Sequence, residues 1–232
     1  MNDAKAKEVA NKIFQNIFNQ DNIFNLDQLT EKFAFDVKLP KRVMDSTTNE
    51  EAWANSVTSG RFITQENMKK RDNTISWLLP KQRISNMQDL INIWKTINLT
   101  TTDRIIDSIN VSKSDAIYSC ENVYRSADCR DCKNMMLCDS MSASNFVMAC
   151  QRSSRINFGI RVDDSIDCTN CYNVQYSNKL INSYFCQDCF NLNECMFCSH
   201  IANKKYYIAN MPFTENEYMA IKKVIINWIF KS

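Results

Sequence analysis

Apolar residues near the start of the chain recur at helical spacing: Val9, Ile13, Phe14, Ile17 and Phe18. That pattern predicts an amphipathic helix over residues 3–20, with Asp3 as its cap. Leu29, Phe33 and Phe35 predict a shorter helix over 27–37, which Pro40 must end because proline removes a backbone donor. Thr48-Asn49-Glu50-Glu51 reads as a capping box leading into Ala52 and Trp53. From 57 to 84 the pattern is mixed. Ser59-Gly60 reads as a turn, Phe62-Ile63-Thr64 as a short extended piece, and Trp77-Leu78-Leu79-Pro80 as a buried anchor before a break. A second box, Ser85-Asn86-Met87-Gln88, opens a helix with Leu90, Ile91, Ile93, Trp94 and Ile97 on its apolar side. Thr100–Asp107 is expected to add a turn of helix with Ile105 and Ile106. A third box, Thr214-Glu215-Asn216-Glu217, opens the last helix, whose stripe is Tyr218, Ile221, Val224, Ile225, Trp228 and Ile229.

Residues 111–208 follow neither the helical period nor the strand period. Small or apolar residues come every third position there: Val111, Ser114, Ile117, Cys120, Val123 and Ser126 at one end, Ser183, Cys186, Cys189, Leu192, Cys195 and Cys198 at the other. Written in rows of eighteen, Cys132, Cys150, Cys168 and Cys186 share a column, and Cys171 lies above Cys189. A fixed period near twenty residues signals a solenoid, whose repeats bury their apolar faces against their neighbours. A coil that turns often has a narrow inside, which suits Cys, Ser and Ala. Asn suits its corners, because it tolerates the left-handed conformation, and Asn173 above Asn191 would form a ladder. About five coils at roughly 4.8 Å each make a rod on the order of 25 Å long.

The Cys-x-x-Cys, Tyr-Asn and Phe-Asn units, closed by Asn203-Lys204-Lys205-Tyr206-Tyr207-Ile208 and a Thr-x-x-Glu helix start, resemble Cys-rich repeat proteins of uncultured bacteria and bacteriophages. The resemblance covers the C-terminal half. It implies a β-solenoid and carries no functional residue with it. The logic is also similar to pentapeptide and hexapeptide β-solenoids, although the period of three matches neither and glycine is nearly absent, with two in the chain.

The expected fold is therefore α+β: a mainly helical N-terminal region (1–110), a Cys-rich β-solenoid of about five 18-residue coils (111–208) and a C-terminal capping helix (209–232). Solenoid ends expose unpaired backbone, so the two helical parts are the natural covers. Trp228 and Phe230 offer a second use for the last helix, as an exposed partner-binding stripe.

Composition narrows the function more than it assigns one. The net charge is +2, and the repeat region holds ten Lys/Arg and ten Asp/Glu, so no basic groove for a polyanion is evident. With no apolar leader at Met1-Asn2-Asp3-Ala4-Lys5 and an odd count of 11 cysteines, reduced thiols in a cytosol, or in a virion assembled there, are expected. No membrane span is expected. Cys186, Cys189, Cys195 and Cys198 supply four thiolates, the number a structural zinc needs, and His200 stands close by. Cys129/Cys132 and Cys168/Cys171 repeat the spacing. Against zinc, the same columns carry Ser, Ile, Val and Leu, which fill a core and cannot ligate. Cysteine nucleophilic catalysis lacks an orienting third group near His200. Asp163, Asp164 and Asp167 form an acidic corner, and Arg152, Arg155 and Arg161 a small basic spot. The expectation is a non-enzymatic structural or protein-interaction component of a larger assembly, a bacteriophage virion being one setting, without cofactor and with a homo-oligomer as one option. The alternative is a zinc-stabilised nucleic-acid-binding module.

Overall fold

A computed structural model describes residues 1–58, 60–74, 77–152, 156, 158–160, 169, 171–172 and 178–231. Two helices come first, α1 (Asp3–Phe18) and α2 (Leu26–Phe33). A shoulder follows: strands β1 (Lys41–Met44), β2 (Glu51–Ala54) and β3 (Phe62–Thr64), then helices α3 (Gln65–Thr74) and α4 (Met87–Ile97), and strand β4 (Thr100–Thr102). The β-solenoid occupies 105–208. Its strands are β5 (Ile105–Ile106), β6 (Ile109–Ser112), β7 (Asp115–Tyr118), β8 (Glu121–Tyr124), β9 (Ala127–Arg130), β10 (Lys133–Met136), β11 (Asn145–Met148), β12 (Asn178–Ile181), β13 (Phe190–Met196) and β14 (Ala202–Ile208). Strand β15 (Met211–Pro212) and helix α5 (Glu215–Lys231) end the chain.

The solenoid is present, but its coil is twelve residues and not eighteen. Glu121 pairs in parallel with Lys133 and Lys133 with Asn145. Farther on, Ile160 bridges Tyr172, Tyr172 bridges Tyr184, and Tyr184 bridges Met196, again twelve apart. A left-handed corner recurs every third residue, as at Asn122 (φ 56), Arg125 (φ 46), Asp128 (φ 49), Asp131 (φ 54) and Asn134 (φ 52). Each coil thus has four sides of three residues. Eighteen is one and a half coils, so within that column Cys132 lies on the side of the interior opposite to Cys150, and Cys186, three whole coils from Cys150, shares the side of Cys150. Residues 105–208 wind between eight and nine coils, a rod on the order of 40 Å rather than 25 Å.

Among the described residues, the third residue of a triplet is the inward one. Ile117, Cys120, Val123, Cys129, Cys132, Met135 and Cys138 are all within one buried cluster, as are Cys186, Cys189, Leu192, Cys195 and Cys198. The corner residue before each turns outward, to solvent at Asp131 and Asp128 or, at Leu137 and Ala149, into the cluster on the outer side of the rod. The observed side-chain ladders follow the twelve-residue step: Asn110 Nδ2 donates to Asn122 Oδ1 (3.1 Å) and Asn122 Nδ2 to Asn134 Oδ1 (2.9 Å). Asn191 is laddered to Asn203 at 2.8 Å. Asn173 lies outside the described residues.

From the second coil on, one outer column is apolar: Tyr124, Met136, Met148, Ile160, Tyr172, Tyr184, Met196 and Ile208, each buried. The helices cover this side and not the ends. The Met1 carbonyl accepts from Ser112 Oγ, and the Ile17 carbonyl accepts from Tyr184 OH at 2.5 Å. Ser112 and Tyr184 are six coils apart, roughly 29 Å, close to the ~24 Å that α1 spans. Helix α1 therefore lies along the rod axis. Its N-cap is Asn2, whose side chain accepts from Lys5 N–H, and not Asp3.

Helix α5 forms where its capping box places it: Thr214 Oγ1 accepts from Glu217 N–H while Glu217 accepts from Thr214 N–H. It runs back along the same apolar side. Tyr218, Ile226 and Ile229 join that cluster, and Phe230 meets Phe14, Phe18 and Phe24 at 5.7, 5.6 and 5.8 Å. The C-terminal end is closed instead by β15, antiparallel to β14. A long column of large side chains is the greatest apolar area on the rod, which is why helices are drawn there.

Three further expectations are corrected. Glu50 to Trp53 is no helix: β2 pairs antiparallel with β1, and Asn49 takes a left-handed turn (φ 60) while Asp45 accepts from Thr47 and Thr48 N–H. The alternating burial of Ala52 and Ala54 beside half-exposed Trp53 is a strand pattern. Thr100–Thr102 and Ile105–Ile106 are strands on either side of a left-handed corner at Asp103 (φ 50), because these residues start the winding. Leu78 is 86% exposed and so is not the buried anchor expected. Phe62–Thr64 is extended as expected, paired with β4.

Candidate functional site

The thiols are the most unusual chemistry in the sequence, and the fold explains their positions. After a left-handed corner, the N–H of the inward residue points into the coil. The inward Cys or Ser serves as partner on both sides of the step. Cys138 N–H donates to Ser126 Oγ (3.1 Å), Cys195 N–H to Ser183 Oγ (3.2 Å) and Cys132 N–H to Cys120 Sγ (3.4 Å). Each thiol or hydroxyl in turn donates to the carbonyl two residues back, as Cys129 does to Ala127 (2.9 Å) and Ser126 to Tyr124 (3.0 Å). Cys150 donates to Met148 (3.3 Å) and reaches the Gly159 carbonyl three sides farther along the chain (3.0 Å). A side chain small enough for the interior yet able to give and take a hydrogen bond must be Cys or Ser.

Cys186, Cys189, Cys195 and Cys198 sit in the last coils, all inward and buried, each bonded to backbone carbonyls such as those of Tyr184, Gln187, Asn193 and Met196. Among the described residues, no three His, Cys, Asp or Glu side chains converge on a point where a metal would be held. Hydrogen bonding with Cys189 and Cys198, then burial, pushes the Cys186 thiol well above its ordinary range; Cys198, which receives hydrogen bonds from Cys186 and Cys195, is lowered. Burial, with Cys138, Cys120 and Asp139 adding to it, pushes Cys129 up. Cys132 and Cys171 are interior thiols too, while Cys168 lies outside the described residues.

His200 is brought to none of them. It is itself a left-handed corner (φ 56), 74% exposed, with Nδ1 3.5 Å from Asp188 Oδ2 on the preceding coil. Arg152 is an exposed corner. Arg155, Arg161, Asp163, Asp164 and Asp167 lie outside the described residues.

Sequence reasoning missed the acidic centre at the shoulder. Asp115, 2% exposed, accepts from Arg104 Nε and Nη2 (3.0 and 2.9 Å) and from Asn55 N–H (3.0 Å), stitching β2 to the first coil. Asp103 accepts from Trp53 N–H (2.8 Å). Burial, with Asp115, Asp45 and Glu51 nearby, pushes its carboxyl up to about 6. Burial would raise Asp45 as well, but hydrogen bonds from Thr47, Thr64 and Asn67 outweigh it and hold that carboxyl well below the usual range. Each of these acids is occupied in holding backbone. Their only sequence signal is an Asp next to short strands, which is common in turns.

A cavity of about 510 Å³ opens between the end of α1, α5 and the rod, beside Asn16, Asn182, Tyr184, Lys222 and Asn227. Lys222 there is already held by Glu194 at 2.8 Å. The outer surface keeps several large apolar residues: Val224 and Trp228 on α5, 68% and 57% exposed, and Ile181, Phe190 and Phe197 on the last coils. No helix among the described residues is long and apolar enough to cross a membrane.

No known family, no curated protein and no solved structure matches this chain.

Proposed function

We propose that this chain is a non-enzymatic docking component of a larger protein assembly, a bacteriophage virion being the setting that its repeats suggest. The observation that carries the reading is the outward stripe of α5. Val224 and Trp228 point to solvent while Tyr218, Ile226 and Ile229 fix the opposite side of the same helix to the rod. A large aromatic held rigidly on a scaffold loses little entropy on binding and is the kind of residue that dominates protein interfaces. The interior is consistent with the same reading, since its thiols are engaged in hydrogen bonds to backbone carbonyls and to one another. Partners would be other proteins, without cofactor.

The test is the size of the tagged chain in extracts of its own host at native abundance. It should elute well above its own mass. Joint replacement Val224→Asp and Trp228→Asp should return it to the free species while its thermal midpoint stays put. Elution of the unaltered chain at its free mass would overturn the reading.

A further inference from the structure

The two ends of the rod differ. At the C-terminal end, β15 pairs with the last strand, Pro212 removes a backbone donor there, and Lys204 takes an inward position with its Nζ 5.5 Å from the Tyr207 ring centroid. Charge and proline on a strand edge are what discourage further pairing. At the N-terminal end, β3 runs beside β4, and Asp103 and Trp53 bond to each other, so two of the four sides are covered. The other two are not. Strands β5 and β6 are outermost in their sheets, and no further strand pairs with them among the described residues. Ile105, an inward position, is 36% exposed, with Ile106 at 40% and Ile109 at 61%. Helix α4, which leads through β4 into this coil, buries none of its side chains: Leu90, Trp94 and Ile97 are 41%, 54% and 37% exposed.

We infer that this end is the contact surface of a head-to-head dimer of the chain, β6 pairing antiparallel with β6 of a second copy. The open face is the cut surface of a twelve-residue, four-sided coil. Another such cut surface matches it in width, in backbone donors and acceptors, and in its apolar centre. Inverting one copy turns the parallel ladder antiparallel at the junction, a geometry hydrogen bonding accepts. The contact is then isologous, and the closed far ends stop it at two copies instead of a fibre. The six side chains named expose on the order of 400 Å² if each offers about 150 Å² when free, roughly half of the ~800 Å² that each partner loses in a standard interface. A net charge of +2 gives two copies little reason to repel. The contact does not depend on the docking stripe of α5, which lies on the side of the rod.

Sedimentation equilibrium of the full chain is expected to give twice the monomer mass of 27.0 kDa. Ile106→Lys with Ile109→Lys should leave a monomer at the same concentration with an unchanged circular dichroism spectrum. Ile181→Lys, which places the same charge on an exposed side position, should leave the dimer intact. If the double variant misfolds, Asn110→Cys is read instead: mild oxidation should link two copies through the new cysteine, which an Asn227→Cys control should not do. A monomeric wild-type chain, a dimer indifferent to lysine at 106 and 109, or equal cross-linking of both cysteine variants would overturn the inference.

Discussion

An inward cysteine in this rod is a hydrogen-bonding residue first and an apolar one second. Cys138 accepts nothing a serine could not accept, and its thiol donates to Met136 (3.1 Å) much as Ser126 donates to Tyr124. Cys138→Ser is therefore expected to cost under about 1 kcal/mol, and Cys138→Val about 2 kcal/mol, because valine keeps the volume and leaves buried polar groups unpaired. Urea unfolding midpoints would check the order; valine better tolerated than serine would contradict the role. Asp103 makes the second prediction. Its carboxyl is raised to about 6 from 3.8, so between roughly pH 4 and 6 the folded chain keeps a proton that the unfolded chain has lost. Stability then falls as pH rises through that window and levels off above it. Asp103→Asn keeps the acceptor for Trp53 N–H and removes the charge. It should flatten the slope and add about 1 kcal/mol at pH 7, allowing for solvent screening of a half-buried group. Melting curves from pH 4 to 7 would show it, and an unchanged slope would count against the burial argument.

Among the elements, α5 behaves as a strap with two unlike faces. Phe230 stands edge-on to Phe14 and Phe18 (88° and 89°) and ties the end of α5 to α1. Phe230→Ala should cost about 2–3 kcal/mol, whereas Trp228→Ala, on the solvent face, should cost under about 0.5 kcal/mol. Differential scanning calorimetry of the two variants would separate the faces, and equal losses would mean that α5 is packed differently. The same logic explains the rest of the helices. Helix α1 keeps pace with the coils, so that Lys113 Nζ can meet Asp3 (3.1 Å) near one end and Phe18 can meet Tyr172 and Tyr184 (5.3 and 6.0 Å) near the other. Helix α4 has an apolar face on which no side chain is fully buried, which is why it is placed in the proposed dimer contact.

For the whole molecule, stability rests on a continuous interior and one continuous side column. A metal-organised module would behave otherwise, since structural zinc contributes on the order of 10 kcal/mol or more to folding. A strong chelator is accordingly expected to leave the unfolding midpoint of the full chain unchanged. Loss of Cys186, Cys189, Cys195 and Cys198 from the folded core on chelation, seen as rapid thiol labelling, would instead restore the zinc module.

The sequence alone determined that residues 111–208 wind into a solenoid, because inward positions every third residue leave only a coil with frequent corners. It determined α1 through its apolar stripe and α5 through its capping box, while the cap of α1 fell at Asn2 rather than Asp3 and Val224 and Trp228 of the α5 stripe turned to solvent. The corners were legible too: the described left-handed positions from Asp107 to Tyr206 carry no Val, Ile or Thr, which strain at positive φ. The coil length was not, because twelve and eighteen share the factor three and cysteines recur in both. The outer column Tyr124, Met136, Met148, Ile160, Tyr172, Tyr184, Met196 and Ile208 holds the correct period, but its meaning depends on a helix far away in sequence lying against it. Only the tertiary structure could decide that α1 and α5 cover a side and leave one end open. Which apolar face meets which is settled by area and length matching in three dimensions: a helix rising ~1.5 Å per residue against coils rising ~4.8 Å per twelve.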